Sequence, residues 1–320
     1  MRDPQPSSHR PPIASDLGVR VAWLYYVEGL TQAQIARALA LSRAKVIRLL
    51  AAARESGVVR IRIDARGSQQ IALERRLCHA FGLDEATVVP APVDEAATAA
   101  VVGLAAGTYL RDQVRAGMSI GVGWGQTLSM SLKAIGGESF DRLSVISLLG
   151  GMTHSRAINP SAVARRMADA FGADCYQLTA PVFVADEATR KALWAEPALH
   201  DLLQRARRVD IALVSVGDVS ADATLFREGL LPRTELASLR AAGAVGDVLC
   251  HFLDAEGRVV DHPVTRRVIA VGLDDLRRAP KIVIAAGGAR KVAAVRAALT
   301  ATRARVLITD EAAARGLLDA

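Results

Sequence analysis

Residues 30–57 read LTQAQIARALALSRAKVIRLLAAARESG, and this stretch decides how the amino-terminal part of the chain folds. Thr31 stands at a helix N-cap position and Gln34 follows three residues later, which makes a capping box. Leu30 before the cap can meet Ile35 after it as a hydrophobic staple. The helix they open runs to about Leu39. Ser42 caps a second helix, with Leu41 and Val46 in the same stapling relation. Two capped helices about three residues apart have helix-turn-helix spacing.

Periodicity assigns the faces of the second helix. Val46, Leu49, Leu50 and Ala53 recur at i, i+3, i+4 and i+7, so they are expected to pack on Ile35, Ala36 and Leu39. The opposite face carries Ala44, Arg48 and Ala51, flanked by Lys45 and Ile47, with Arg43 at the helix start. Small residues let a helix approach a DNA groove, and long cations reach phosphates and guanine edges. Ala44 and Arg48 suit base contact, and Ile47 can touch a thymine methyl. Arg43, Lys45 and the helix start at Thr31 and Gln32 suit phosphate. With the cap Ser42, these are the candidate contacts to double-stranded operator DNA. Upstream, Val21, Ala22, Leu24, Tyr25 and Val27 can supply a first helix that closes the core. Downstream, residues 58–63 alternate as a wing strand does. An ordinary basic helical hairpin can carry the same caps and staples.

The 320 residues suit two domains. Residues 1–13, rich in Pro, Ser and charge, read as a disordered leader, residues 14–64 as the helix-turn-helix domain, and residues 65–320 as a second domain. Residues 65–70 are polar and read as the link. Apolar residues are 51% of the chain but aromatics only 4%, so Ala, Val, Leu and Ile must do the packing. A net charge of +7 fits contact with a polyanion, although a compositional bias toward Arg produces the same excess. Cys78, Cys175 and Cys250 are far apart, odd in number and outside C-x-x-C spacing, which points to neither a disulfide framework nor a metal site. The leader has no apolar core and no apolar run reaches the ~18 residues of a membrane helix, so a cytoplasmic, reduced protein without cofactor is expected.

Beyond the link, short apolar strands alternate with helices, the signature of a parallel-sheet α/β domain. Strands are expected at 87–90, 118–122, 143–149, 174–178, 210–216, 248–253, 268–271, 281–285 and 305–309. Helices are expected at 70–81, 95–114, 127–135, 160–171, 187–207, 232–242, 290–301 and 310–318.

Five Gly-rich turns follow expected strands: 121–128 (GVGWGQTL), 148–152 (LLGGM), 215–218 (SVGD), 243–247 (GAVGD) and 285–292 (AAGGARKV). All five are expected at carboxyl ends of strands, where open α/β sheets bind ligands. Glycines let backbone N–H groups curl around an anion, and a following helix start favours negative charge. The first turn is neither a Walker A motif nor a dinucleotide fingerprint, because the required Lys-Ser/Thr pair and Gly spacing are missing. Gly287 and Gly288 are expected to expose N–H groups, with Lys291 one turn into the helix beyond them.

Residues 17–63 resemble the amino-terminal domain of the SorC-type sugar-binding transcriptional regulators, and residues 70–320 resemble their effector domain. The stretches that carry the resemblance are 26–36, 41–50, 53–63, 121–127, 150–151, 180–181, 243–247, 287–291 and 307–311. The family often has a small polar residue where this chain has Ile47. The resemblance implies an N-terminal winged helix-turn-helix followed by a Rossmann-like α/β domain of the sugar-phosphate isomerase and deaminase type. It implies that Gly123, Trp124, Gly125, Gln126 and Thr127 hold ligand oxygens. It further implies that Gly150 and Gly151 belong to the site, that Gly287, Gly288 and Lys291 bind phosphate or its sugar equivalent, and that Asp247 contacts a sugar hydroxyl. The implied activity is regulation of transcription by a small sugar or sugar phosphate, without catalysis.

The rival class is a sugar-phosphate isomerase or deaminase-like enzyme with a basic helical appendage, using Asp218, Asp247 or Asp310 as general base. An isomerase has no need of a capped helix-turn-helix, and a purely architectural DNA binder has no need of the α/β domain. One helix-turn-helix covers a short site, so a homodimer or homotetramer built through the larger domain is expected.

Overall fold

The computed structural model describes residues 16–59, 67–137, 139–152 and 158–319. The expected leader, and residues 60–63 of the expected wing strand, lie outside the described residues. The chain divides into two compact units, one up to residue 64 and one from residue 65 onward.

In the smaller unit, α1 (Asp16–Tyr26), α2 (Gln32–Ala38) and α3 (Arg43–Glu55) enclose a core of Val21, Ala22, Ile35, Val46, Leu50 and Ala53. Leu30, Leu39, Leu41 and Leu49 pack around it. The capping box is formed: Thr31 accepts from the Gln34 N–H, and Gln34 Oε1 accepts from the Thr31 N–H at 2.8 Å. The Ser42 hydroxyl accepts from the Lys45 N–H at 3.2 Å. Between the helices the chain turns sharply at Ala40, which holds a left-handed φ of 53°. That conformation is strained for a residue with a Cβ, and packing of Leu39 and Leu41 on the shared core holds it there.

The larger unit is built on a seven-stranded, fully parallel sheet. Its strands in chain order are β1 (Glu85–Val89), β2 (Ser119–Val122), β3 (Ser144–Ser147), β4 (Asp174–Tyr176), β5 (Ile211–Val214), β9 (Lys281–Ala285) and β10 (Val306–Asp310). The order across the sheet is β1-β10-β9-β5-β2-β3-β4. The intervening β6 (Val216–Asp218), β7 (Gly246–Val248) and β8 (His251–Leu253) form a separate three-stranded antiparallel sheet. The central strands read as uninterrupted apolar runs because helices cover both faces of the sheet. Residues 211–214 of β5, for example, are all buried.

Several expected elements divide or move. The apolar run 248–253 is two strands, because Leu249 and Cys250 take left-handed φ of 51° and 64° and reverse the chain. The run 210–216 breaks at Ser215, where the chain leaves the parallel sheet for the small one. Residues 187–207 form two helices, Glu187–Ala195 and Pro197–Ala206, since a proline ring disfavours helix in the residue before it. Residues 268–271 make only isolated bridges, to Phe183 and Leu149. The expected link loses its last residues to the helix Ser68–Phe81.

The sheet order juxtaposes the turns. β9, β5 and β2 are neighbours, so their carboxyl ends deliver residues 286–291, 215–218 and 123–127 to one place. The chain leaves β2 for β3 on one side and leaves β5 for β9 on the other, so the gap between the neighbouring strands β2 and β5 is a topological switch point. The helix Gln126–Ser131 is drawn close by the helix Thr98–Gln113. A Cβ on Gly103 of the latter would stand 2.4 Å from the Thr127 carbonyl oxygen, so only glycine permits that approach.

Candidate functional site

The converging turns surround a cavity of about 340 Å³ in the larger unit. Trp124, Gly125, Gln126 and Thr127 form one wall, Gly287, Gly288 and Lys291 another, and Asp218 and Asp247 a third. Glu95, in the 3₁₀ turn Glu95–Ala97, and Thr98, at the start of the helix Thr98–Gln113, also line it.

Gly125 holds a φ of +117°, and a Cβ there would stand 2.9 Å from Ser215 Oγ. The Ser215 hydroxyl donates to the Trp124 carbonyl at 2.6 Å, tying the end of β5 to the turn after β2. Thr127 is buried at the start of its helix.

Asp247 lies in β7, opposite Gly217 of β6. Its carboxylate is buried and accepts from the Cys250 N–H at 3.0 Å. Burial raises its pKa to about 6, against the pull of the Cys250 N–H and the Lys291 charge, while Asp218 adds to the rise. Lys291 donates to the Val216 carbonyl at 2.8 Å. Burial lowers the pKa of its ammonium group, and the facing charges of Asp218 and Asp247 oppose that fall. The three side chains form a compact cluster that can exchange hydrogen bonds with the hydroxyls of a polyol.

The remaining cations of the site are engaged at its rim. Arg290 Nε lies 3.2 Å from Glu95 Oε1, and its Nη1 lies 3.8 Å from Asp222 Oδ2. Arg227 pairs with Glu228 at 3.5 Å.

Of the expected effector residues, the cavity walls bring together Trp124, Gly125, Gln126, Thr127, Asp247, Gly287, Gly288 and Lys291. Gly123, Gly150 and Gly151 lie outside them. The Gly123 N–H continues the sheet by donating to the Leu213 carbonyl at 2.9 Å. The N–H groups of Gly150 and Gly151 are spent on the Ile269 and Ala180 carbonyls, each at 2.8 Å. Gly288 does not offer its N–H to the cavity either: Asp310 Oδ1 accepts it at 2.7 Å. Asp310 itself is buried outside the walls, in contrast to Asp218 and Asp247. Lys291 ends a 3₁₀ turn, Ala289–Lys291, one residue before the helix Val292–Thr302, and not one turn into it. Residues 243–247 do not follow a parallel strand; they lead from the helix Arg233–Ala241 into β7.

Sequence reasoning missed Glu95, Thr98, Ser215, Asp222 and Arg290 as wall residues. None sits in a Gly-rich motif of ligand-binding type, except Ser215 and Arg290 at the margins of two turns. The described residues contain no cluster of three or more His, Cys, Asp or Glu that could hold a metal ion. Among them, no helix is long and apolar enough to cross a membrane.

In the smaller unit, α3 turns Val46, Leu50 and Ala53 inward and leaves Arg43, Ala44, Lys45, Ile47 and Arg48 exposed. Thr31 and Ser42 are exposed at the two helix starts, and Gln32 is partly covered. This is the solvent face that the spacing predicts, save that Ala51 is only partly exposed.

Comparison with known proteins bears on both units. The family described as "Putative sugar-binding domain" matches residues 66–319. The erythritol catabolism regulatory protein EryD of Brucella abortus is 34% identical over 304 residues, which cover 94% of this chain and 96% of that protein. The transcriptional regulator LsrR of Klebsiella pneumoniae is 34% identical over 307 residues, 95% of this chain and 93% of that one. Among solved structures, the full-length sorbitol operon regulator SorC of Klebsiella pneumoniae superposes with a TM-score of 0.71 at 25% identity, covering 94% of this chain and 98% of that chain.

Proposed function

Since the chain belongs to the SorC-type family of sugar-binding transcriptional regulators, we propose that its two units divide DNA reading from effector sensing. It is a sugar-responsive transcription regulator. In the proposed division, α3 enters the major groove of operator DNA. Arg43, Lys45 and the helix starts at Thr31, Gln32 and Ser42 engage phosphates, while Ala44, Ile47 and Arg48 face the bases. The effector, a small sugar or sugar phosphate, occupies the cavity between the 124–127 turn, Asp247, Gly287, Gly288 and Lys291.

The observation that carries this reading is the convergence of three strand-end turns on one polar cavity at the switch point of the sheet. Asp247 and Lys291 accept from and donate to effector hydroxyls there. The effector then biases DNA affinity by its differential affinity for two arrangements of the protein. Two or four copies assemble through the larger unit, because one recognition helix spans too few base pairs for a unique site.

The cavity binds without turnover in this reading. The isomerase alternative draws on one feature, the pKa of about 6 at Asp247, which suits a general base. A turnover assay on sugar phosphates separates the two. The main test is anisotropy titration of promoter fragments with and without a panel of sugars and sugar phosphates. One panel member is expected to change operator affinity by about 5- to 150-fold. No preference for any promoter fragment over bulk competitor, with or without sugars at moderate salt, overturns the reading.

A further inference from the structure

The reading face of α3 carries a feature that phosphate contact does not explain. Ile47 is 45% exposed and is the one exposed large apolar side chain among the described residues of α3. The core of the unit does not use it, since Val46, Leu50 and Ala53 fill the inward side. Its neighbours on the outer face are Ala44 three residues before, Arg48 beside it and Ala51 four residues after. At about 1.5 Å rise per residue, Ala44 to Ala51 spans roughly 10 Å. That is about three base-pair steps of ~3.4 Å.

Charge and shape fit a duplex. Arg43, Lys45 and Arg48 place cations around the face, and the two alanines leave room for a groove wall. The Arg48 side chain makes no hydrogen bond or ion pair with described residues, so its donor fork is free. In the floor of the major groove, the thymine C5-methyl is the distinctive apolar group, and guanine offers the paired acceptors N7 and O6 that suit Arg. Ile47 and Arg48 are consecutive, about 100° apart around α3 but separated by only ~1.5 Å along its axis, less than one base-pair step, so from the outer side they reach the same or adjoining base pairs.

Resting on the DNA-reading role given above, we infer that Ile47 is a specificity-determining residue. It covers a thymine methyl in the operator half-site, directly beside a guanine read by Arg48. The half-site therefore contains an adjoining thymine and guanine, in either strand order, within the three base pairs under α3.

The test uses the full chain and a duplex recovered by selection from a random-sequence library. Each thymine of the recovered duplex is replaced singly by uracil, which removes the C5-methyl and nothing else, and Kd is measured at constant salt. At one thymine adjoining a conserved guanine, the wild-type protein should lose about fourfold, the factor expected for one methyl returned to water. Ile47→Ala should bind the thymine and uracil duplexes equally, and Ile47→Val should retain part of the discrimination. Uracil without effect at every position overturns the inference while leaving the DNA-reading role intact, as does an equal loss in wild type and Ile47→Ala. Recovery of no preferred sequence from the library overturns both.

Discussion

Gly217 and Asp247 stand opposite one another in the antiparallel pair β6–β7, and a Cβ on Gly217 would fall 2.0 Å from Asp247 Oδ1. The carboxylate that lines the proposed effector cavity is thus seated against bare backbone. Gly217→Ala must displace it or pry the two strands apart. The expected cost is about 1–3 kcal/mol, the usual range for forced overpacking. Effector-dependent change in DNA affinity should be lost, while effector-free operator binding persists. Melting temperature and anisotropy together check this; an unchanged effector response would show that Asp247 has no part in sensing.

Arg48→Ala and Lys291→Ala should have opposite effects. Removing Arg48 should weaken operator binding by about 1–3 kcal/mol and leave effector affinity as it was. Removing Lys291 should abolish effector binding and leave operator affinity in the absence of effector unchanged. Calorimetry with effector and anisotropy with operator read the two activities separately. If each variant abolished both activities while remaining folded, the division between units would be wrong.

Lys45→Ala should act differently from Arg48→Ala, because a phosphate contact carries no sequence information. Affinity should fall about equally for operator and for unrelated duplex. The slope of log K against log salt should shrink by about one. An unchanged slope would remove Lys45 from the phosphate-contacting set.

Two buried groups pull stability in opposite directions between about pH 4 and 6.5. The folded-state pKa of Asp247 is raised to about 6 by burial, so the folded form holds a proton that the unfolded form has released, and stability falls as pH rises through that window. His251, whose Nε2 lies 3.0 Å from the Val271 carbonyl oxygen, is lowered by burial to about 4. The unfolded form there holds the extra proton, so stability rises with pH over nearly the same interval. Each contribution is about 3 kcal/mol at roughly 1.4 kcal/mol per unit, and they nearly cancel. Asp247→Asn should unmask the His251 slope, giving a variant whose stability climbs with pH from 4 to 6.5 relative to the wild type. Parallel denaturation curves for the two proteins across that range would exclude the assignment.

Much of the smaller unit was legible because its signals are local. The capping residues Thr31 and Ser42 act within one turn of themselves, and the period of Val46, Leu50 and Ala53 needs only a neighbouring helix to pack on. The cavity was legible in part. Turns such as 123–127 and 287–291 announce themselves through glycine, yet glycine also serves strand ends that lie outside the cavity walls. Gly150 and Gly151 are of that kind: their N–H groups complete bridges to distant segments around residues 180 and 269. Glu95 and Asp222 carry no local mark, and they reach the cavity only because the 95–97 turn and the loop after β6 fold over it.

The linear order of residues determined two things unaided: that a capped helix pair precedes an alternating α/β chain, and that α3 has an outward face of Arg, Lys, Ala and Ile. Both follow from interactions among residues a few positions apart, where backbone geometry leaves few choices. Tertiary structure alone decided which turns share a cavity, and that Asp247 arrives there on an antiparallel hairpin instead of a parallel strand end. Those facts depend on strand order, on the reversal at Leu249 and Cys250, and on contacts between segments tens to hundreds of residues apart, which no local periodicity encodes.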